Sequence, residues 1–413
     1  MNVNCIQPKI RNMVQLIIDK FEEKDAFHLI NIDDLVNKYT EFQEVLPKVF
    51  PFYAVKCNND VVILKVLAAL GIGFDCATKN EIQTMLSLGV SPDKIVYSHP
   101  VKQESHLEYA ASVNVGLMTF DCTAELHKIL QFYPSAKLLI RLSCDDKTSV
   151  HKFGNKYGCN SDIEAFELLA VAHSLKLNVV GVSFHVGSIC RDYNSYTYAI
   201  KRSQKVFALG KSMGFNMNLL DIGGGFPGYN QIEFRKLGRV VNDSLETYFS
   251  SENVQIIAEP GRYFVESAVT AACRITCIKK RKENISYYLN DGICGSFAFT
   301  NFVRDPFEFK ILNDLLDSEL YSSIVYGPTC WGEDIVDKSV HLPQLQINDW
   351  LYLEHFGAYK QVFVTTFNGF SKPKMYAICS TNIWTLFKAN FPNSEYKIQK
   401  DGTCMIIENN ERF

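Results

Sequence analysis

Residues Pro51–Asn58 read PFYAVKCN, an apolar and aromatic run that ends in one lysine, Lys56, followed at once by polar residues. Such a run reads as a buried strand with Lys56 at its C-terminal tip. A lysine there is either a snorkelling surface residue or an amine held in a dry pocket for carbonyl chemistry. The choice turns on what the strand belongs to.

Seven further short β-like runs follow: Gly73–Cys76, Lys94–Ser98, Val115–Phe120, Lys137–Leu142, Val179–His185, Leu219–Ile222 and Val254–Glu259. Helical periodicity fills the intervals, as at Asp60–Leu70, Lys79–Leu88, Cys122–Gln131, Asp162–Leu175 and Tyr196–Met213. This alternation predicts a (β/α)8 TIM barrel, with a doubly wound open sheet as the competing architecture. Beyond Gly261 the runs Ala271–Cys277, Ile285–Leu289, Ser322–Tyr326, Trp350–Glu354 and Met375–Cys379 are strand-like with only short helical pieces between. Asn290-Asp291-Gly292 reads as a hairpin turn, because Asp-Gly supplies the positive φ such turns need. Ala26–Ile30 is a lone strand that needs a sheet to join. The expectation is a barrel over residues 32–268 and a mainly antiparallel β domain built from residues 1–31 and 269–413.

The 413 residues are 47% apolar and 21% charged, as in ordinary globular proteins, and the net charge is −3. No strong basic field exists to attract nucleic acid or an anionic membrane. The N-terminal residues show no signal peptide, and no apolar run reaches the roughly 18–20 residues of a membrane span, so a cytoplasmic location is expected. The 13 cysteines show no CxxC pairs or matching His spacing, which argues against a metal framework and for reduced thiols. The absence of a Pro/Glu/Ser/Thr-rich stretch before Phe413 gives no expectation of rapid turnover.

In this barrel type the chemistry sits at the C-terminal ends of the strands. Those ends carry Lys56, Asp75, Arg141, His185, the run Gly223, Gly224, Gly225, and Glu259. Singly, a histidine there is a satisfied core residue, and an Arg or Asp is a salt bridge or helix cap. Six on one rim make a site. Within LDIGGGFPG at Leu220–Gly228, three glycines offer backbone N–H groups to an anion, or form a tight turn. Glu259-Pro260-Gly261-Arg262-Tyr263 follows the eighth strand, and loops after strands 7 and 8 commonly bind phosphate in this fold. A lysine for a Schiff base, a phosphate handle and an acid for a ring nitrogen together describe pyridoxal 5'-phosphate. Glu259 would keep the pyridine nitrogen protonated, His185 would stack on the ring, and a desolvated Lys56 would have its pKa lowered.

These motifs, with SFHVGS at Ser183–Ser188, YGPTC at Tyr326–Cys330, and GAY and TFNGF within Gly357–Phe370, resemble the eukaryotic ornithine decarboxylases of the alanine-racemase-like fold over essentially the whole chain. The resemblance implies conversion of L-ornithine to putrescine in polyamine biosynthesis. It implies Lys56 as the Schiff-base lysine, His185 on the cofactor face, and Ser188, Gly225, Arg262 and Tyr359 on the phosphate. It further implies Glu259 at the pyridine nitrogen, with Asp75, Glu81 and Arg141 around the cofactor lysine. Cys330 matches a cysteine that protonates the carbanion and is delivered from the other subunit of a homodimer with shared active sites.

The substrate side departs from that pattern. An aspartate that follows the cysteine in the family is Trp331 here, and a Tyr-Asp pair is replaced by Phe302 and Val303. Asp305 lies two residues away. The family tyrosine before Gly295-Ser296-Phe297 is Cys294. These changes suit a neutral, apolar side chain better than ornithine. The alternative is a non-catalytic regulator similar to antizyme inhibitors. Against it, the segment Lys102–Lys128 carries four acids and no internal Arg or Lys, a weak basic face for antizyme. A racemase of the same fold is disfavoured by the YGPTC context of Cys330.

Overall fold

The computed structural model describes residues 10–144, 154–250, 253–282, 284–298, 307–313, 319–392, 395–398 and 403–407. Its first strand, β1 (Phe27–Asn31), joins a different sheet from the eight that follow. Those eight are β2 (Val49–Ala54), β3 (Gly73–Cys76), β4 (Ile95–Tyr97), β5 (Leu117–Phe120), β6 (Lys137–Leu142), β7 (Asn178–Phe184), β8 (Leu219–Asp221) and β9 (Gln255–Ala258). All pair in parallel, and β2 pairs with β9 to close the barrel. Each falls on one of the eight expected runs: β3 and β6 have the expected bounds, β2 and β7 start earlier and end earlier, and the other four are shorter at one or both ends. Parallel strands covered on both faces read as continuous apolar runs, as β7 shows, buried from Val179 to Phe184.

One detail differs from expectation. The first barrel strand stops at Ala54, and Lys56 lies in the 3-10 turn Val55–Cys57 that follows. The Ala54 N–H donates to the Pro260 carbonyl at 3.2 Å, so the lysine turn is tied to the loop after β9. Side-chain caps then restart the chain as helix: Asp60 accepts from the Val62 N–H, and Thr78 from the Glu81 N–H. Phe42 packs on Phe226, Phe234, Tyr263 and Phe264 with ring centroids 5.6–6.0 Å apart. That cluster anchors both the glycine loop, through Phe226, and the segment after β9, through Tyr263. The compact unit holding the barrel spans Val36–Phe264.

The second unit comprises Met1–Leu35 and Val265–Phe413. Its strands are β1, β10 (Val269–Lys280), β11 (Ile285–Leu289), β12 (Lys310–Ile311), β13 (Leu320–Tyr326), β14 (Ile335–Pro343), β15 (Trp350–Leu353), β16 (Lys374–Ser380), β17 (Glu395–Ile398) and β18 (Thr403–Ile407). The sheet order is β14-β13-β11-β10-β1-β16-β18-β17, with β15 on β10 and β12 on β15, and most pairs are antiparallel. The lone N-terminal strand sits mid-sheet, antiparallel to β10 and parallel to β16. Alternation along β10 sends Ala271, Cys273 and Ile275 to one core and Ala272 to another. Met13, Val14 and Ile17 of the helix Ile10–Phe21, unanticipated from sequence, cover the second face.

The hairpin expected at Asn290-Asp291-Gly292 is not formed. β11 pairs antiparallel with the preceding β10 and parallel with β13, and the chain after Leu289 runs into turns. The physical reason is Asp291, which is buried and accepts from the N–H groups of Gly292 (2.8 Å) and Ser296 (3.0 Å). Its carboxyl thus closes a local turn instead of facing water at a hairpin tip, and Gly292 is not at positive φ. Burial pushes the Asp291 carboxyl up to about 6.

Candidate active site

The barrel's C-terminal rim brings most of the expected residues together. Lys56 pairs with Asp75, whose other oxygen accepts from the Ser98 hydroxyl at the end of β4. Asp75 is fully buried, whereas the Lys56 side chain is 41% exposed. The amine is therefore a surface-reaching member of an ion pair, not the desolvated amine expected from sequence. A buried carboxylate needs such a partner, which explains the pairing.

Glu81 lies within electrostatic reach of Lys56 and Asp75, but its carboxylate accepts from the Ala77 N–H while Thr78 accepts from the Glu81 N–H. It thus completes a capping box at the start of the helix Lys79–Ser87, and burial raises its carboxyl. Arg141, the penultimate residue of β6, stands over the Tyr157 ring at 5.2 Å. The Arg141 carbonyl accepts from the Cys159 N–H and the Ser143 N–H donates to the Cys159 carbonyl, which holds that ring in place.

His185 follows β7 directly. Its Nδ1 accepts from the Gly187 N–H at 3.0 Å, which leaves the ring proton on Nε2. Burial of the ring, with the positive Arg141 and Lys56 nearby, pushes its pKa down to about 3, so the imidazole is neutral. A neutral ring can lie on an aromatic face without adding charge.

The glycine run is a forced close approach. Gly223 and Gly225 have φ of +64° and +107°, and a Cβ on Gly224 would come within 2.7 Å of the Glu259 carbonyl. The Gly223 N–H donates to Asp221 at 2.9 Å, so it is not available to an anion. Among the described residues, nothing accepts from the N–H of Gly224 or Gly225. Tyr196 donates to the Gly224 carbonyl at 2.7 Å, which fixes the loop from below. Gly261 is equally constrained, since a Cβ would sit 2.9 Å from Cys57 in the lysine turn. Arg262 is buried beside it, and Ser188 is half-buried at the end of the β7 loop.

Asp221, at the end of β8, was not singled out from sequence, where it reads as the start of a glycine turn. It is fully buried and in register with Ser183, which is itself in register with Arg141. Burial, with Asp75 nearby, pushes the Asp221 carboxyl up to about 7. Burial and the negative Asp221 and Asp75 hold Glu259 well above the ordinary carboxylate range. Three acids thus crowd one space with Lys56 and Arg141. A raised acid contributes stability below its unfolded pKa of 3.8 and loses it as pH climbs through about 7. Asp221→Asn should accordingly flatten the fall in melting temperature between pH 5 and pH 8, measured by thermal denaturation. A fall as steep as that of the wild type would remove Asp221 from this role.

The residues present fit pyridoxal 5'-phosphate. Ser183 Oγ is buried without a hydrogen-bond partner among the described residues, and the acid cluster, in which the Asp221 and Glu259 carboxyls bond one another, suits a protonated ring nitrogen. The glycine N–H groups, Ser188 and Arg262 suit the phosphate. No group of three or more His, Cys, Asp or Glu among the described residues has metal-binding geometry.

The second unit carries the other candidates. Cys330 is exposed and Trp331 is 50% exposed on the loop after β13, while Cys294 is half-buried. Tyr359 has φ +56°, a conformation an L-residue keeps only where its surroundings enforce it. Phe302 and Val303 lie outside the described residues.

Comparison with known proteins agrees with the fold. Residues 32–266 match the family described as pyridoxal-dependent decarboxylase, pyridoxal binding domain. The chain is 40% identical to ornithine decarboxylase of Mus pahari over 410 residues, covering 94% of this chain and 88% of the relative. It is 38% identical to antizyme inhibitor 2 of Xenopus laevis over 415 residues, covering 95% and 90%. Among solved structures, the Paramecium bursaria Chlorella virus arginine decarboxylase bound to agmatine is similar, with a TM-score of 0.86 at 34% identity over 89% of this chain and 100% of that one.

Proposed function

The chain belongs to the pyridoxal-dependent decarboxylase family, and on that premise we propose that it is a pyridoxal phosphate-dependent amino-acid decarboxylase with altered substrate recognition. The observation that carries the reading is the rim cluster of Lys56, Asp75, Arg141, His185, Asp221 and Glu259 on one closed barrel. The cofactor, when bound, supplies an aldehyde carbon for amine exchange and a ring that accepts the electron pair left as carbon dioxide departs. Lys56 is the amine that would hold that carbon, with Asp75 fixing its Nζ. Glu259, whose carboxyl is held above the ordinary range, would face the ring nitrogen and keep a proton on it. His185, a neutral imidazole, would cover one face of the ring. Ser188, Arg262 and the N–H groups of Gly224 and Gly225 would hold the phosphate.

Cys330 donates the final proton from a second copy of the chain. Trp331 (50% exposed) and Phe370 (43%) line one surface depression with Cys330, and Phe367 (48%) lines the next with Phe370, a contiguous exposed aromatic group that supports a self-association surface. The two named decarboxylases act on ornithine and arginine, whose side chains are cationic. Trp331 offers such a side chain an indole instead of a carboxylate. Loss of one carboxylate partner costs about 2–5 kcal/mol, or about 30- to 4,000-fold in affinity. A neutral, apolar amino acid suffers no such loss.

The direct test is carbon dioxide release from ornithine, lysine, arginine, leucine and phenylalanine. The proposal expects a neutral member to be turned over at least as well as ornithine. Strong preference for ornithine would overturn the altered specificity, and no release from any would overturn the decarboxylase reading.

The second reading, an antizyme-inhibitor-like regulator, draws support from the Xenopus relative. Its basic face is weaker than the sequence suggests. Lys102 is buried, ion-paired with Glu125 at 2.8 Å and bonded to the Thr119 carbonyl at 2.6 Å, and Lys128 is paired with the same Glu125 at 2.7 Å. Burial pushes Lys102 down to about 8. Neither lysine is offered to a partner. A pull-down that retains antizyme would restore this reading. Among the described residues no helix is long and apolar enough to cross a membrane.

A further inference from the structure

The loop that carries Cys330 and Trp331 is gripped at two points, and we infer that Asp334 and Asn368 are positioning residues that hold the Cys330 thiol for its reaction. This rests on the proposed decarboxylase function. Asp334 is 2% exposed although its neighbours Trp331, Gly332 and Glu333 are exposed. One carboxylate oxygen accepts from the Thr329 N–H (2.9 Å) and hydroxyl (2.6 Å), and the other accepts from the Ile293 N–H (2.8 Å). The Asp334 carbonyl accepts from the Gly327 N–H at 2.8 Å, and its own N–H donates to the Trp331 carbonyl at 3.0 Å. Residue 334 therefore closes the loop through both backbone and side chain. The packing is close enough that a Cβ on Gly327 or Gly292 would sit 2.2 or 2.4 Å from its carboxylate.

The second grip comes from Thr365–Phe370. The Thr365 N–H and hydroxyl both donate to the Cys294 carbonyl, at 3.0 and 2.8 Å. Asn368 then accepts the Cys330 N–H at 2.9 Å, and it does so from φ +55°, next to Gly369 at +79°. Left-handed backbone at a non-glycine residue has to be held by its surroundings, and here it aims the amide oxygen at residue 330. The two grips flank the cysteine. One holds Thr329 from the interior and the other holds Cys330 itself from outside. The thiol is left exposed on a fixed backbone. A proton donor misplaced by about 1 Å loses about 10²-fold in rate, so such a frame has catalytic consequence without touching substrate.

Three variants test this: Asp334→Asn, Asn368→Leu and Asn368→Asp. Steady-state kinetics would use the amino acid turned over fastest among ornithine, lysine, arginine, leucine and phenylalanine. Hydrogen exchange of the peptide spanning 326–333 is followed alongside. Asn368→Leu should lower kcat about 10-fold with KM within about 2-fold and release the Cys330 amide to faster exchange, while Asn368→Asp, which keeps the acceptor, should return kcat to within about 3-fold of wild type. Asp334→Asn should lower kcat by about 10²-fold and loosen the whole loop. Unchanged exchange and unchanged kcat in Asn368→Leu would overturn the inference even if Asp334→Asn fails to fold. If the wild type releases no carbon dioxide from any of the five, the decarboxylase reading fails. Exchange of the loop and the alkylation rate of Cys330 by iodoacetamide then decide the frame on their own.

Discussion

Trp331→Asp should raise kcat/KM for ornithine by about 10²-fold, with a fall on neutral amino acids. The magnitude follows from restoring one carboxylate to a cationic side chain, worth about 2–5 kcal/mol once the proposed second copy of the chain covers the loop and excludes water from the pair. The substitution should be structurally mild. Trp331 is half exposed, and its carbonyl, not its indole, makes the loop's hydrogen bond to Asp334. A melting temperature within about 2 °C of wild type is expected, since an exposed site carries little packing energy. Steady-state kinetics on ornithine and leucine, before and after the change, measure the effect. A properly folded variant with no gain would place the larger substrate defect at Phe302 and Val303.

Lys56→Ala should abolish turnover, by about 10³-fold or more, because no other amine takes over the carbonyl chemistry. It should also destabilise the barrel. Asp75 is fully buried and would lose its cation, but Lys56 is 41% exposed and water can reach the gap, so the cost falls below the about 3–5 kcal/mol of a wholly buried pair, at about 1–3 kcal/mol. Lys56→Arg separates the two effects. A guanidinium keeps the charge beside Asp75 but does not form the covalent link, so thermal stability should recover and activity should not. Recovery of turnover in Lys56→Arg would refute the covalent role.

The barrel was legible because its strands are buried on both faces and so read as unbroken apolar runs, each closed by a polar or glycine residue. The rim residues were legible for the same reason. Lys56, Asp75, Arg141, His185 and Glu259 each interrupt such a run. What escaped were residues whose importance depends on their neighbours in space. Asp221 looks like the head of a glycine turn until its register with Ser183 places it in the acid cluster. Ser98 and Tyr196 are ordinary until Asp75 and the Gly224 carbonyl appear as their partners. Glu81 was read toward the cofactor, and the structure also gives it a helix to cap. The misread hairpin at Asn290-Asp291-Gly292 has a similar origin, since local turn chemistry cannot reveal that Asp291 is buried. Lys56 itself was expected to be dry. Its exposure and its partner Asp75 are matters of tertiary placement, nineteen residues apart in sequence.

The most direct test of the central claim is to load the protein with pyridoxal phosphate, reduce with borohydride, digest and locate the pyridoxyl group by mass spectrometry. The account predicts stoichiometric label on the peptide that contains Lys56. Label confined to another lysine, or no label at saturating cofactor, would contradict it.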